Sequence, residues 1–245
     1  MKYLLTCFAL GALLTACKTP NYYPGPVYAP VFANQFETQA SGVMGTNGFS
    51  AKTGFAATKN ISVGGVYCSM PGLGSFYSKE GEAIGGFQFK LNGSSFLAFH
   101  SGSGFGNSFK QDSGVAYKNF RGNFTKPFGM ITIGSAHTSR KYRVHGDFSF
   151  TIKGSYLMYN GFKTHTENGI PVDEKFVPQN FFWEPYMQGS IGGKYVRFEY
   201  GTGFAFKRLT EIGEGNRIMP FQMNFGMSFI ILRRYDAKPA DVKKE

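Results

Sequence analysis

Alternation with a period of two is the feature that most constrains what this chain can form. In Val196–Phe206 the even positions are apolar or aromatic except Thr202, and the odd positions are small or charged. Because successive side chains of a β-strand point to opposite faces, this pattern predicts a strand with one dry face. The same alternation recurs in 142–159 and 220–232, so the sequence predicts a protein built from sheet.

Clusters of Gly, Asn, Pro and Ser divide the chain into ten candidate strands. Most of them are longer than the five or six residues typical of soluble sheets, and they suit tilted strands that cross a bilayer. After the first residues, no apolar run is long enough for a membrane-spanning helix. The predicted strands are 36–45, 48–58, 61–70, 82–91, 94–106, 118–136, 142–159, 181–192, 195–207 and 220–232.

The connections between these strands alternate in length after the first turn. Short turns such as Gly193-Lys194 alternate with long connections, of which Asn160–Asn180 is the longest. Up-and-down membrane barrels show this asymmetry, with short turns on the periplasmic side and longer loops outside. One strand carries an interruption at Lys126-Pro127, and we expect a β-bulge there because proline removes a ladder donor.

The alternation alone leaves open whether the apolar side chains of each strand line a protein core or contact lipid. A soluble lipocalin-like barrel also alternates, with its apolar side chains inside. The strand lengths, the loop rhythm and apolar rows rich in Phe rather than in Val, Leu and Ile favour a membrane barrel.

The charges of the polar rows supply a further argument for the membrane barrel. They balance five against five, and a narrow lumen with little water favours such pairing because an unpaired ion there is costly. The predicted lumen charge network consists of Glu37, Lys52, Glu82, Lys90, Asp147, Lys153, Glu184, Arg197, Glu199 and Lys207.

The first residues predict export and lipid attachment. A short charged start precedes an apolar run from Tyr3 to Leu14, which has signal-peptide length and is too short to span a bilayer. The run ends in Leu14-Thr15-Ala16-Cys17, which resembles the lipobox of bacterial lipoproteins. This resemblance implies cleavage before Cys17 and acylation of that cysteine.

The chain therefore divides into four predicted parts. Residues 1–16 are the lipoprotein signal peptide, and 17–35 form an acylated tether rich in Pro and Tyr. Residues 36–232 form the barrel, and 233–245 form a basic polar tail. Cys68 is then the one thiol left for the mature chain, so no internal disulfide is expected.

The whole pattern resembles the small outer-membrane β-barrel lipoproteins of Bacteroidota-type bacteria. The likeness lies in the lipobox, the Pro/Tyr segment, Glu37–Tyr67, Phe181–Gly192 and the Phe-rich final strand. It implies an all-β fold, an antiparallel up-and-down transmembrane barrel of about ten strands in the outer membrane, and little chemistry. The polar tail departs from the pattern, because many outer-membrane barrels end at an aromatic residue of the last strand.

One set of residues has the parts of an acyl-transfer site. His145, Asp147 and Ser149 share one face of one predicted strand. Successive members lie about 7 Å apart, which is too far for a relay without partners from other strands, so we favour polar lining. The histidines fall on different segments and match no known ligand spacing: His100, His137, His145 and His165. We predict no catalytic residue, metal or cofactor.

These inferences predict a lipid-anchored outer-membrane barrel that is not an enzyme. Its expected role is structural, or that of an accessory subunit of an envelope assembly such as secretion or barrel-insertion machinery. Expected partners are membrane lipid and other envelope proteins, and not nucleic acid despite a net charge of +11. The alternatives are a soluble lipid-tethered barrel that binds an apolar ligand, and a small channel or rim-site acyl-transfer enzyme.

Overall fold

The computed structural model describes residues 24–70, 76–91, 94–110, 119–139, 144–167, 170–177, 179–207 and 221–232. The signal peptide, Cys17 and the tail 233–245 lie outside these residues. Within them, no helix has the length and apolar character needed to cross a membrane. The strands are β1 (Glu37–Gly45), β2 (Gly48–Ala56), β3 (Ile61–Met70), β4 (Phe76–Lys90), β5 (Ser95–Lys110), β6 (Asn119–Ser139), β7 (Val144–Glu167), β8 (Ile170–Phe176), β9 (Gln179–Gly192), β10 (Val196–Phe204), β11 (Phe206–Lys207) and β12 (Phe221–Leu232).

Ten of these strands close into a barrel. Consecutive strands pair from β1 to β7, β7 then pairs with β9, and the ring closes through β10, β12 and back to β1. Every pairing is antiparallel, including the closing pair Glu37↔Leu232. β11 continues β10 beyond Ala205. β8 forms a hairpin with the C-terminal part of β7, Gly161–Glu167, outside the ring. The predicted fold class, an all-β antiparallel barrel of ten strands, is confirmed.

The apolar rows face outward, and the polar rows face the lumen. Phe198 and Phe225 stack on neighbouring strands of the outer wall and are 47% and 48% exposed. On the inner wall Lys153 and Glu184 are each 1% exposed. A soluble barrel with an apolar interior and a charged surface would have the opposite arrangement, so the face orientation expected for that alternative is not found.

Two local predictions are wrong. The long connection expected at Asn160–Asn180 is mostly strand, because β7 continues to Glu167 and pairs with β8. The bulge expected at Lys126-Pro127 is absent, since the register between β6 and β7 is the same before and after these residues. Pro127 points outward, and the missing donor removes two pairings with β7 while the ladder to β5 stays intact.

The ends of the barrel differ in their connections. We call the end that holds residues 57–60 and 193–195 the short-turn end. The other end, from which the connections 111–118 and 208–220 leave, is the long-loop end, and it also holds the two-residue turn Thr46-Asn47. Chain ends of the ring meet at the short-turn end, where β1 begins and β12 finishes.

Residues predicted as a tether occupy the inside of the barrel. Pro24–Phe32, which we call the lumen segment, has no regular secondary structure and is buried except at half-buried Val31. It enters at the long-loop end and leaves at the short-turn end, where Asn34 precedes β1. Phe36 has a φ of 60°, which reverses the chain direction so that β1 can return along the wall.

Candidate functional site

Hydrogen bonds fix the lumen segment at both ends of the barrel. At the long-loop end, Asn47 Nδ2 donates to the Pro24 carbonyl at 2.5 Å. At the short-turn end, the Gln88 side chain accepts from the Phe32 amide at 2.9 Å and donates to its carbonyl at 2.6 Å. Lys90 Nζ also donates to the Ala33 carbonyl at 3.0 Å. The segment therefore spans the lumen rather than resting at one mouth.

Its composition suits a chain that runs inside a closed sheet. A segment in the lumen has no strand neighbour, so each of its amides needs another partner or must be absent. Pro24, Pro26 and Pro30 carry no amide hydrogen and favour an extended backbone. The repeated prolines thus lower the number of buried donors that the wall has to satisfy.

Glycines of the wall make room for the lumen segment. A Cβ at Gly54 would overlap the Tyr28 hydroxyl and lie 2.8 Å from the Phe32 ring. A Cβ at Gly64 would lie 3.2 Å from the Tyr28 ring and 3.3 Å from Pro30. At Gly54 all of the nearest atoms belong to the segment, whereas at Gly64 the Thr53 carbonyl of the wall lies closer still, at 2.8 Å.

The middle of the segment forms an apolar cluster with the inner wall. Ile84 interrupts the polar row of β4, and its burial in this cluster explains that exception to the alternation. Burial of each such large apolar side chain stabilises the fold by about 1.5–3 kcal/mol. The cluster consists of Val27, Tyr28, Ala29, Val66, Ile84, Phe128, Met130 and Tyr186.

A buried ion cluster occupies the lumen beside this apolar cluster. Lys126 Nζ contacts Glu80 Oε1 and lies 2.8 Å from Glu82 Oε1. Lys153 Nζ lies 2.6 Å from the same Glu82 oxygen and 4.1 Å from the centroid of the Phe128 ring. The four charged side chains are at most 5% exposed, so each ion depends on its partners for solvation.

The predicted charge network contains half of this cluster. Glu82 and Lys153 were expected in the lumen, whereas Glu80 and Lys126 were missed. Glu80 precedes the predicted strand start at residue 82, and Lys126 stands next to the proline that obscured the parity of β6. Extending the alternation of β4 back by two residues would have placed Glu80 on the inner face.

Two further ion pairs of the predicted network form at other levels of the lumen. Lys52 Nζ lies 3.3 Å from Glu199 Oε2, and Gln39 donates to the other oxygen of that carboxylate at 2.9 Å. Arg197 Nη1 lies 3.2 Å from Asp147 Oδ2.

The remaining members of the network have other surroundings. Glu37 accepts from the backbone and side-chain nitrogens of Asn34, both at 3.1 Å. Glu184 accepts from Ser155 at 2.5 Å, and Lys90 is exposed at the short-turn mouth. The side chain of Lys207 lies outside the described part of the chain.

Aromatic residues fill the lumen wall toward the long-loop end. The Tyr159 ring lies 5.3 Å from those of Phe120 and Phe124, and its hydroxyl is 2.7 Å from Ser108 Oγ. We call this group the aromatic cluster, and it consists of Phe120, Phe124, Leu157, Tyr159 and Phe182.

A cavity of about 510 Å³ with a mixed polar and apolar lining opens at the short-turn end. The three candidates for acyl transfer, His145, Asp147 and Ser149, all line it from β7. The Asp147 carboxylate accepts from the Ser190 hydroxyl and pairs with Arg197, so it belongs to the charge network of the wall. Among the described residues, no group of three or more His, Cys, Asp or Glu side chains is placed to hold a metal ion.

No protein-family model matches the sequence, and a search of curated proteins finds no match. Among solved structures, the chain is similar to the crystal structure of the β domain of the Bordetella autotransporter Brka. The two chains are 12% identical, the alignment covers 79% of this chain and 96% of that chain, and the TM-score is 0.37. The closed barrel described above rests on the strand pairing of this chain itself.

Proposed function

We propose that this protein is a lipid-anchored barrel of the bacterial outer membrane whose lumen is filled by its own N-terminal segment. It acts as a structural or accessory subunit of an envelope assembly, and it is neither an enzyme nor an open channel. The observation that carries this proposal is the pairing of an apolar outer wall with a filled, ion-paired lumen.

The outer wall has the properties of a lipid-facing surface. On β12 the outward positions from Met223 to Ile231 are all large and apolar and 39–63% exposed. They span about 27 Å along the strand, which matches the apolar band of about 25 Å found on outer-membrane barrels once strand tilt is allowed for. Outward charges of the closed wall are confined to Lys79 and Arg121 among the described residues, both toward the long-loop end.

Closure supports the same location. Hydrocarbon offers no partner to a backbone amide or carbonyl, so a sheet with a free edge is not stable there. Here β1 and β12 pair over nine residues and remove the edge. A water-soluble protein with this wall would expose a continuous apolar surface far larger than soluble monomers tolerate.

The filled lumen argues against a conducting pore. The lumen segment runs inside the barrel from the turn at Asn47 to Gln88, and the ion cluster and aromatic cluster occupy further parts of the lumen. Solute would have to displace buried ion pairs as well as the segment. The surfaces left for function are therefore the outer wall and the β7–β8 hairpin, which stands beyond the ring and exposes Asp173 and Glu174.

Extraction and co-purification from native envelopes test this proposal. We expect the protein to resist carbonate extraction, to need detergent for solubility, and to purify in mild detergent with other envelope proteins in fixed ratio. Reconstituted in planar bilayers, it should show no steady conductance. Release without detergent, or a large steady conductance, would contradict the proposal.

A further inference from the structure

We infer that the acyl anchor on Cys17 lies in the membrane leaflet beside the long-loop end, opposite the end at which β1 begins. The inference rests on the proposed lipid attachment of Cys17. It adds the side of the membrane on which that lipid lies. An even number of strands, taken alone, would place the lipid at the short-turn end, where β1 begins.

Contacts along the lumen segment fix its direction. Pro24 accepts from Asn47 in the turn between β1 and β2, and Gly25 lies beside Cys68 near the long-loop end of β3. Tyr28 lies at mid-height, where the Lys52 ammonium is 5.7 Å from its ring centroid. Phe32 reaches Gln88 at the short-turn end. The chain thus runs from the long-loop end to the short-turn end before β1 begins.

The even number of strands does not place the anchor beside the start of β1. Ten strands do bring the start of β1 and the end of β12 together, at the pair Glu37↔Leu232. The lumen segment then adds one more crossing before β1. Eleven passages separate Pro24 from the end of β12, so Pro24 lies at the end of the barrel opposite to Leu232.

The length of the intervening chain keeps Cys17 on that side. Cys17 is seven residues before Pro24, which allows at most about 25 Å of extended chain. A second pass through the lumen would have to displace the buried contacts between Lys126 and its two carboxylates. A pass along the outer wall would take unpaired backbone groups through hydrocarbon. The same 25 Å is ample to reach the lipid headgroups beside the long-loop rim.

This arrangement fastens the lumen segment at both ends. Its C-terminal end continues into β1 of the closed ring, and its N-terminal end carries the acyl chains on the other side. Withdrawal toward the short-turn end would extract lipid from the bilayer, and withdrawal toward the long-loop end would break β1 out of the sheet. In outer-membrane barrels the long loops face the exterior, which assigns the acyl chains to the outer leaflet.

Single-cysteine labelling tests the side on which the anchor lies. In a Cys68→Ala background, Tyr22→Cys and Thr19→Cys report the chain before the lumen segment. Glu174→Cys on the exposed β8 hairpin reports the long-loop end, and Lys194→Cys reports the short-turn end. Intact cells and cells with a permeabilised outer membrane are treated with a membrane-impermeant maleimide. We expect Tyr22→Cys and Thr19→Cys to label under the same condition as Glu174→Cys, with Lys194→Cys labelling under the other.

Mass spectrometry of the N-terminal peptide separates the two possible failures. An acylated Cys17 together with labelling that follows Lys194→Cys would overturn the inference and leave lipid attachment standing. An unmodified Cys17 would overturn the proposed anchoring, whichever end labels. Heat-modifiable migration of every variant on gels confirms that the barrel has folded.

Discussion

The two halves of the lumen solve the problem of a narrow interior in different ways. Toward the long-loop end, aromatic rings and fully buried ion pairs fill the space, and Lys126 is 0% exposed. Toward the short-turn end, a cavity of about 510 Å³ remains, and the Arg197–Asp147 pair is partly open to solvent. The first half, which we call the sealed half, is packed like a protein core, whereas the second is an open vestibule with polar and apolar walls. Substitutions in the sealed half should therefore lower the free energy of unfolding far more than substitutions in the vestibule.

The largest effect is expected from removing the cation at the centre of the sealed half. Lys126→Met leaves Glu80 and Glu82 without the ammonium that both contact, and breaking a buried ion pair from one side costs about 3–5 kcal/mol. We expect a large drop in the urea concentration at which half of the protein is unfolded. Heat-modifiable migration on gels measures the folded fraction.

The matched control is the exposed pair Arg121–Asp173, whose side chains are 65% and 46% exposed. Arg121→Ala should change stability by less than about 1 kcal/mol because solvent screens the pair. Equal effects of the two substitutions would contradict a sealed half.

A smaller loss is expected where the lumen segment crosses the wall. Gly54→Ala places a methyl group against Tyr28 and the Phe32 ring, and overpacking of this kind costs about 1–3 kcal/mol. Gly85→Ala on the outer wall is the control, because nothing lies within 4 Å of its added Cβ. We expect the urea midpoint to fall for Gly54→Ala and to stay within error for Gly85→Ala. An unchanged midpoint for both would mean that the segment does not press on β2.

The smallest effects are expected in the vestibule. Asp147→Asn weakens a partly exposed ion pair, so we expect a loss of about 1 kcal/mol or less in the free energy of unfolding. His145→Ala should leave both the urea midpoint and the acyl composition of envelope lipids unchanged, because we assign these residues to polar lining. A change in lipid acylation with an intact barrel would revive the acyl-transfer alternative.

The face of the sheet that points outward could be predicted from sequence because successive residues of a strand face opposite sides of the wall. The Phe rows of β10 and β12, and lumen residues such as Lys153, follow that rule over many positions. Where a local feature interrupts the alternation, as the proline does beside Lys126, the prediction fails to place that residue in the lumen.

The path of the lumen segment could not be predicted in the same way. A Pro/Tyr-rich stretch suits a solvated tether as well as a chain inside a barrel, because both lack strand neighbours. Its place depends on distant wall positions such as Gly54 and Ile84, whose small size or apolar character is explained by the segment that packs on them. The residues that make room for the segment are therefore present in the sequence, but no local pattern indicates that the segment packs against them.

The most direct test of a lumen filled by its own chain is a disulfide between Gly25→Cys and the native Cys68. A Cβ at Gly25 would lie 3.5 Å from the Cys68 Cβ, which is within the range for a disulfide, whereas Gly81→Cys on the outer wall has no neighbour within 4 Å and serves as control. Mass spectrometry of unreduced peptides from the folded, exported protein measures the cross-link. We predict a bond between residues 25 and 68 without added oxidant catalyst, and a free thiol at Gly81→Cys. A folded Gly25→Cys barrel in which both thiols stay free would contradict the account.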